Sequence, residues 1–395
     1  VILRIFPPAD FLGRFPRVSG GDPDWDDGPY CSTGFSTRKR GGVIRVLFFS
    51  ERTFMQRILT IFLAAICAFG VITTTSSSVT AKAAQAIPTQ VVASELTGLP
   101  ISTALASQRP VAIMIDNDTR ALPHYGLAEA DVVYEMMNST ANNRVTRLMA
   151  LYKDWHKVGQ IGNIRSTRPT NILLASEWNA LLVHDGGPFY NNPYFKSTGI
   201  AHLSGGFSRV KNGKATEFTE YARGTDISRK ASAAKISSSY TNTDAQSAAL
   251  SHWKIGIVDM SAYGLPGTMA KLDCFKLTKP SLRYNASTGM YDYYESRVLM
   301  KDGEDKQVVA FKNVIIQNCS FHQYDKNGYL IYNVIGEGVG YYLTGGKMIP
   351  IIWKKASETG ATKYYDSIGR EISINPGKTY IGICPSDDWK SVTIA

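Results

Sequence analysis

Four continuous apolar runs stand out between residues 110 and 184. They are VAIMIDN, opened by Pro110, then DVVYEMM (131–137), RLMALY (147–152) and ALLVH (180–184). Runs of this length without alternation suit strands buried on both faces, and Asp116-Asn117 closes the first as a turn would. Between the last two runs, Ile172, Leu173, Leu174, Ala175 and Trp178 fall on one broad face of a helix over 166–180. Ser166 suits its N-cap, and Pro169 suits the first turn, where a missing N–H costs nothing. Buried strands interleaved with helix predict an N-terminal α/β domain over 110–250, preceded by a polar-apolar leader at 84–109. Residues 204–251 turn polar, rich in Ser, Thr, Lys and Ala. That composition predicts a long loop or lid running into an exposed helix near Thr243–Ser251.

Beyond Met269 the pattern changes. KLDCFKL, MYDYYESRVLM, VVAFKNVIIQN, YLIYNVIG, GYYLTGGKMIPIIWKK and TYIGICP are short strand-like runs separated by Gly, Asn and Asp. They predict a β-rich C-terminal domain over 265–395, mostly antiparallel, as a meander or small barrel. The class expected is therefore α+β or α/β, with an α/β half followed by a β half. The glycine-rich GEGVGYYLTGGK (336–347) has the wrong spacing for a phosphate loop and leads into a strand-like run, so its glycines are read as hairpin turns.

One apolar run differs from all of these. Ile58 to Thr73 is sixteen residues long, short for a bilayer span, with Arg57 before it and Ala81-Lys82-Ala83 after a Ser/Thr-rich stretch. A basic start, a short apolar centre and an A-x-A site describe a signal peptide at 55–83, cleaved near Ala83; an uncleaved anchor is the alternative. A lipid-bearing Cys67 fits less well, because Ile66 stands where a small residue belongs. Residues 1–54 lack periodicity, and Met55 is the expected initiator. The expected location is extracytoplasmic, either secreted or associated with the cell envelope.

Charge changes the picture once it is divided. The chain carries +10, of which 1–54 and 55–83 hold +2 each, leaving +6 on the exported part. A mildly basic exported protein points to anionic wall polymers, phosphorylated glycans or lipid head groups, and no nucleic acid is expected. Cys274, Cys319 and Cys384 remain after cleavage, which permits one disulfide; their apolar surroundings suit buried thiols. No metal site and no cofactor are expected.

Candidate chemistry gathers in two segments. In GQIGNIRSTRPTN (159–171), a strand would deliver Arg165, Ser166 and Arg168 to a helix start, and Arg147 begins a nearby strand. Three guanidinium forks meeting there would hold an oxyanion; the alternative is solvated arginines paired with acids. In LLVHDGGPFYNNPYF (181–195), His184 ends a strand, and Gly186 and Gly187 let a ligand approach the backbone. Glu135 inside an apolar strand needs a partner. It is read first as the counter-ion of an arginine, with general base or metal ligand as alternatives. Asp116 either closes a turn or takes part in chemistry.

RPVAIMIDN, GLAEADVVYE, VTRLMALY, VGQIGNIRSTRP and LLVHDGG, in that order, resemble the YerB-type family of bacterial envelope proteins. NVIIQN, GEGVGYYLTGGK, IIWKK and YYDSIGREISINPGKTYIGICP resemble that family's C-terminal domain. The resemblance spans most of 96–394. It implies an exported two-domain protein, frequently a lipoprotein, and its matching positions are Asp116, Asn117, Glu135, Thr146, Arg147, Arg165, Ser166, Arg168, His184, Gly186 and Gly187. Two segments depart from it. STANNRV (139–145) lacks the family's glycine, and AAKISSSYTN (233–242) lacks its histidine. The first expectation is an envelope protein that binds an anionic wall or lipid-linked glycan at an arginine-lined cleft. The alternatives are a wall-modifying phosphoryl or glycosyl transferase or hydrolase, with Glu135, His184 or Asp116 as base, and a scaffold binding a protein partner through the C-terminal domain.

Overall fold

The computed structural model describes residues 90–395; the expected signal peptide, the extension at 1–54 and the first residues of the leader lie outside them. All four apolar runs form strands: β1 (Val111–Asp116), β2 (Val132–Met137), β3 (Thr146–Tyr152) and β4 (Leu181–His184), with every residue buried. Between β3 and β4 lies helix α1 (Pro169–Ser176), shorter than the predicted span and buried along its whole length. Pro169 takes its first position as expected, but Ser166 does not cap it. Arg168 stands at the N-cap, and its backbone N–H donates to Asn171 Oδ1 at 3.0 Å.

The polar stretch 204–251 is more ordered than its composition suggests. Helix α2 (Asn192–Thr198) leads into β5 (His202–Ser204), and after short strands come helices α3 (Gly224–Ala233) and α4 (Thr243–Leu250). Phe218, Tyr221, Ile227 and Ala231 are buried, and Glu220–Ala222 pairs with Ile161–Gly162. A few apolar side chains at wide spacing are enough to tie this segment down, so the expected lid is a packed flank. Helix α4 falls where the sequence placed it.

The C-terminal half supplies β6 (Met269–Leu272), β7 (Ser281–Asn285), β8 (Met290–Glu295), β9 (Asn313–Cys319), β10 (Gly336–Thr344), β11 (Lys347–Lys355), β12 (Thr379–Pro385) and β13 (Val392–Ile394). Strands β6, β7, β8 and β13 belong to a separate antiparallel sheet, as a meander would. The glycine-rich segment is the β10–β11 hairpin, turning at Gly345 and Gly346, whose φ values of 59° and 74° favour glycine.

The expected boundary between an α/β half and a β half does not separate two sheets. Strand β12 lies between β9 and β2, parallel to both. The result is one mixed sheet of eleven strands, whose main order is Leu265–Pro266, β11, β10, β9, β12, β2, β3, β1, β4, β5. All seven residues of β12 are buried, which is the signature of a strand covered on both faces. That pattern marks β12 as central but does not say beside which strand it lies.

Two buried polar clusters fasten the halves together. At the end of α1, Glu177 accepts from Lys355 Nζ at 3.0 Å, from Thr362 Oγ1 at 2.8 Å and from Tyr134 OH at 2.9 Å. Along β2, Glu135 accepts from Asn117 Nδ2 (2.9 Å), Thr146 Oγ1 (3.0 Å) and Thr278 Oγ1 (3.3 Å) through Oε1. Its Oε2 meets Tyr380 OH at 2.7 Å and Tyr293 OH at 2.9 Å. The Tyr293 hydroxyl also stands 2.9 Å from Glu295 Oε1, which in turn meets His124 Nε2 at 2.9 Å.

A hydroxyl has one proton to donate, so Tyr293 serves both carboxylates only if one of them is protonated. Burial, reinforced by the nearby Glu295 charge, pushes Glu135 up to about 7. Glu135 is therefore the proton holder, donating to Tyr293, which donates to Glu295. At the far end, burial disfavours the His124 cation, but the Glu295 carboxylate overcomes this and raises it.

The folded protein keeps the Glu135 proton to a higher pH than the unfolded chain does. As pH rises from about 4.5 to about 7, the unfolded chain ionises first and stability falls, levelling off above. Glu135→Gln, which mimics the protonated form, is expected to remove this slope. Its stability relative to wild type should improve by about 3 kcal/mol between pH 4.5 and 7.5, read from urea unfolding at both pH values. A difference that stays constant with pH contradicts the proton assignment.

Candidate functional site

Strands β1 and β4 run parallel through Ile113 and Val183 and then part. The segment 163–167 enters the gap: Arg165 N–H donates to Met114 O, and Asp185 N–H donates to Arg165 O. Thr167 N–H donates to Gly186 O at 3.2 Å, which places the two expected segments side by side. A crevice at the carboxyl ends of parallel strands is where open sheets hold ligands.

Three arginines gather at this edge. Arg147 faces Asp116 across the β1–β3 ladder, and its Nη1 lies 2.9 Å from Asp116 Oδ1. Arg165 Nε stands 2.8 Å from Asp116 Oδ2. The Nε–H is not aimed along that line, so the contact is Coulombic more than a hydrogen bond. Arg165 also reaches Glu217 at 3.2 Å. Asp116 thus serves as the shared counter-ion, and it also closes a turn by accepting Asp118 N–H at 3.0 Å. Closing a turn is one of the two roles expected of Asp116, and the counter-ion role expected of Glu135 falls to it as well.

Arg168 differs from the other two. It is 6% exposed, yet its side chain donates only to neutral acceptors among the described residues: Asn138 O (3.1 Å), Thr167 O (2.9 Å) and Ser166 Oγ (3.1 Å). The Tyr329 ring lies 4.7 Å from the guanidinium carbon. Among the described residues no carboxylate stands within ion-pair distance of it, and its Nη2 has no acceptor. Burial, followed by repulsion from Arg147 and Arg165, pulls it down to about 10, so it is still fully charged at neutral pH. Nearby in the chain and across the Thr167–Gly186 bond, Ser166 is half-buried and Gly186 and Gly187 are exposed. At Gly187 a Cβ would strike the Asn191 amide at 2.2 Å, and φ is +155°, so this close approach needs glycine.

The remaining candidates lie elsewhere or are occupied. Glu135 does not pair with an arginine, contrary to expectation; its partners are the hydroxyls and the amide described above, because β2 directs it toward the C-terminal half. His184 donates from Nδ1 to Gly186 O (2.8 Å) and accepts at Nε2 from His202 Nδ1 (3.0 Å), and burial pulls it down to about 4. With both nitrogens engaged and no charge, it is not a free base. His202, Asn191 and Tyr329 are neighbours that the sequence reading missed. His202 lies on a strand too short to show a pattern, and Tyr329 comes from the other half of the chain. Cys274, Cys319 and Cys384 are buried free thiols, and burial raises Cys319 to about 12. Among the described residues no group of three His, Cys, Asp or Glu side chains is placed to hold a metal ion.

Fold and site together define a mixed-sheet protein built from two interlocked sequence segments, with an arginine cluster at the carboxyl edge of its sheet. The chain belongs to the YerB-like family. Residues 96–237 match the family described as "Protein of unknown function (DUF3048) N-terminal domain", and residues 271–381 match the corresponding C-terminal domain. The chain is 24% identical over 309 residues to "Putative lipoprotein YerB" of Bacillus subtilis (strain 168), covering 75% of this chain and 88% of that protein. The crystal structure of YerB protein from Bacillus subtilis superposes with a TM-score of 0.64 at 22% identity, covering 77% of this chain and 99% of the other. The fold is shared.

Removing the shared counter-ion tests the arrangement. Asp116→Asn leaves the Arg147 charge buried and unpaired, and is expected to destabilise the protein by about 3 kcal/mol in denaturant unfolding. Adding Arg147→Met to that variant should recover much of the loss. If Asp116→Asn alone leaves stability unchanged, the ion pair does not hold this edge.

Proposed function

We propose that this chain is an exported, envelope-associated protein that binds an anionic ligand, a wall polymer, phosphorylated glycan or lipid head group, at the Arg165–Arg168 edge. Arg168 carries the reading. A buried guanidinium without a carboxylate beside it costs several kcal/mol in desolvation, and an incoming oxyanion would offset that cost. Arg147 and Arg165 are held by Asp116 and strengthen the local field, while Gly186 and Gly187 leave the approach open. Envelope association draws on the apolar run at 58–73 and on the name of the Bacillus subtilis relative.

Binding is favoured over wall-polymer transfer because the three candidate bases are committed. Glu135 lies in the network along β2, His184 has both nitrogens bonded, and Asp116 is held by two arginines. A general base must reach the proton it removes, and none of the three is free to do so.

Calorimetric titration of the protein with a phosphate-bearing wall polymer tests the proposal. Arg168→Gln should weaken binding tenfold or more, as loss of a charge-assisted contact does. Raising salt from about 0.05 to about 0.3 M should weaken it too, because charges at the open edge are screened. Unaltered affinity in Arg168→Gln, or turnover of the polymer by wild type, overturns it.

A further inference from the structure

Arg168 has a counterpart elsewhere in the fold. Arg109, two residues before β1, is 2% exposed, and among the described residues no carboxylate stands within ion-pair distance of it. Its Nε donates to Asn179 O at 2.7 Å and its Nη2 to Ala180 O at 3.1 Å. Both carbonyls belong to the turn that ends α1, where Ala180 N–H donates to Ala175 O and Asn179 takes a φ of 50°. The carbonyl end of a helix carries partial negative charge, which orients the guanidinium and offsets part of the cost of its burial. That burial pulls Arg109 down to about 10, so it keeps its charge at neutral pH. Its third nitrogen, Nη1, finds no acceptor among the described residues and is not sealed from solvent.

Arg109 lines a cavity of about 400 Å³ between the ends of α1 and α2 and the start of α4. That volume is in the range of small-molecule sites. Two acids share its wall. Glu177 is taken, by Lys355 Nζ, Thr362 Oγ1 and Tyr134 OH. Asp244, in the first turn of α4, is exposed. Among the described residues it has no cation within ion-pair distance, Arg109 included, and its side chain accepts no hydrogen bond. The cavity therefore holds one uncompensated cation and one uncompensated anion that do not reach each other.

These charges select among ligands. A simple anion suits Arg109 but is repelled by Asp244, a simple cation meets the reverse, and a neutral molecule leaves both without a partner. A small molecule with a carboxylate at one end and an ammonium at the other satisfies both. The remaining walls include Ile200, Ala201 and Ala248, which offer short aliphatic contacts and no ring. We propose that this cavity is a binding site for a zwitterionic amino acid or short peptide with small side chains. Its terminal carboxylate accepts from Arg109 Nη1, and its terminal ammonium pairs with Asp244. The site is separate from the Arg165–Arg168 edge, and neither depends on the other.

Calorimetry on the purified full chain with alanine and alanyl-alanine, each also as its N-acetyl and C-amide derivative, tests the assignment. Alanine or alanyl-alanine is expected to bind, and the tighter of the two sets the ligand's length. Its N-acetyl and amide derivatives should each bind tenfold or more weakly, because each leaves one wall charge without a partner. Asp244→Asn, at an exposed position, should weaken the free ligand to the level of the N-acetyl derivative, while unfolding in urea as wild type does. Arg109 also clasps the end of α1, so the amide derivative tests its part without a substitution that disturbs the fold. Arg168→Gln should leave the binding unchanged. No binding of either zwitterion by wild type at millimolar concentration overturns the proposal. So does equal affinity for the derivatives, unaltered affinity in Asp244→Asn, or loss of binding in Arg168→Gln.

Discussion

Glu135 lies in the middle of a sheet with no cation at its side chain, and everything around it follows from having to satisfy that one group. Three of the five hydroxyl and amide partners that reach it, Thr278, Tyr293 and Tyr380, belong to the C-terminal half. A carboxyl group in an apolar strand is unfavourable until such partners are in place. The N-terminal half therefore carries a polar defect that only the C-terminal half repairs. Parallel pairing of β12 with β2 brings Gly382 opposite Glu135, and Tyr380, two residues earlier on the same strand, supplies its hydroxyl. Specificity of docking and satisfaction of the buried acid are one event.

The same half of the chain handles charge differently at its edge. There Asp116 takes two arginines and leaves the third without an acid, so one part of the cluster is architecture and the other is available. The separation explains why residues that look interchangeable in the sequence diverge in role. Arg147 is fixed by ladder register opposite Asp116, Arg165 by the wedge between β1 and β4, and Arg168 by the start of α1. Only the last ends without an acid beside it, one residue from Thr167, whose N–H donates to Gly186 O.

Much of this was legible in the sequence where burial is uniform. The runs that became β1 to β4 and β12 needed no partner information, because strands covered on both faces are apolar throughout. Gly345-Gly346 marked its hairpin for a similar reason, since the turn demands positive φ. The arginine segments were legible as candidates, and the structure brings them together. What the sequence did not disclose is pairing at a distance: that TYIGICP lies beside DVVYEMM, that Glu135 faces tyrosines and Asp116 faces arginines, or that Tyr329 covers Arg168. Local patterns report how deeply a residue is buried and say little about its neighbours. The short elements between 204 and 233 were hidden for a different reason, because two- and three-residue strands and a helix with few apolar positions produce no measurable period.

The position of β12 has a consequence for how the molecule is made. The strand at the heart of the sheet comes from the last seventeen residues of the chain, and its partners β2 and β9 precede it by about 250 and about 65 residues in the sequence. During synthesis, β2 therefore waits with one edge bare until residues 379–385 are available. The sheet therefore cannot close within the N-terminal half alone, and its assembly is set by the arrival of this strand.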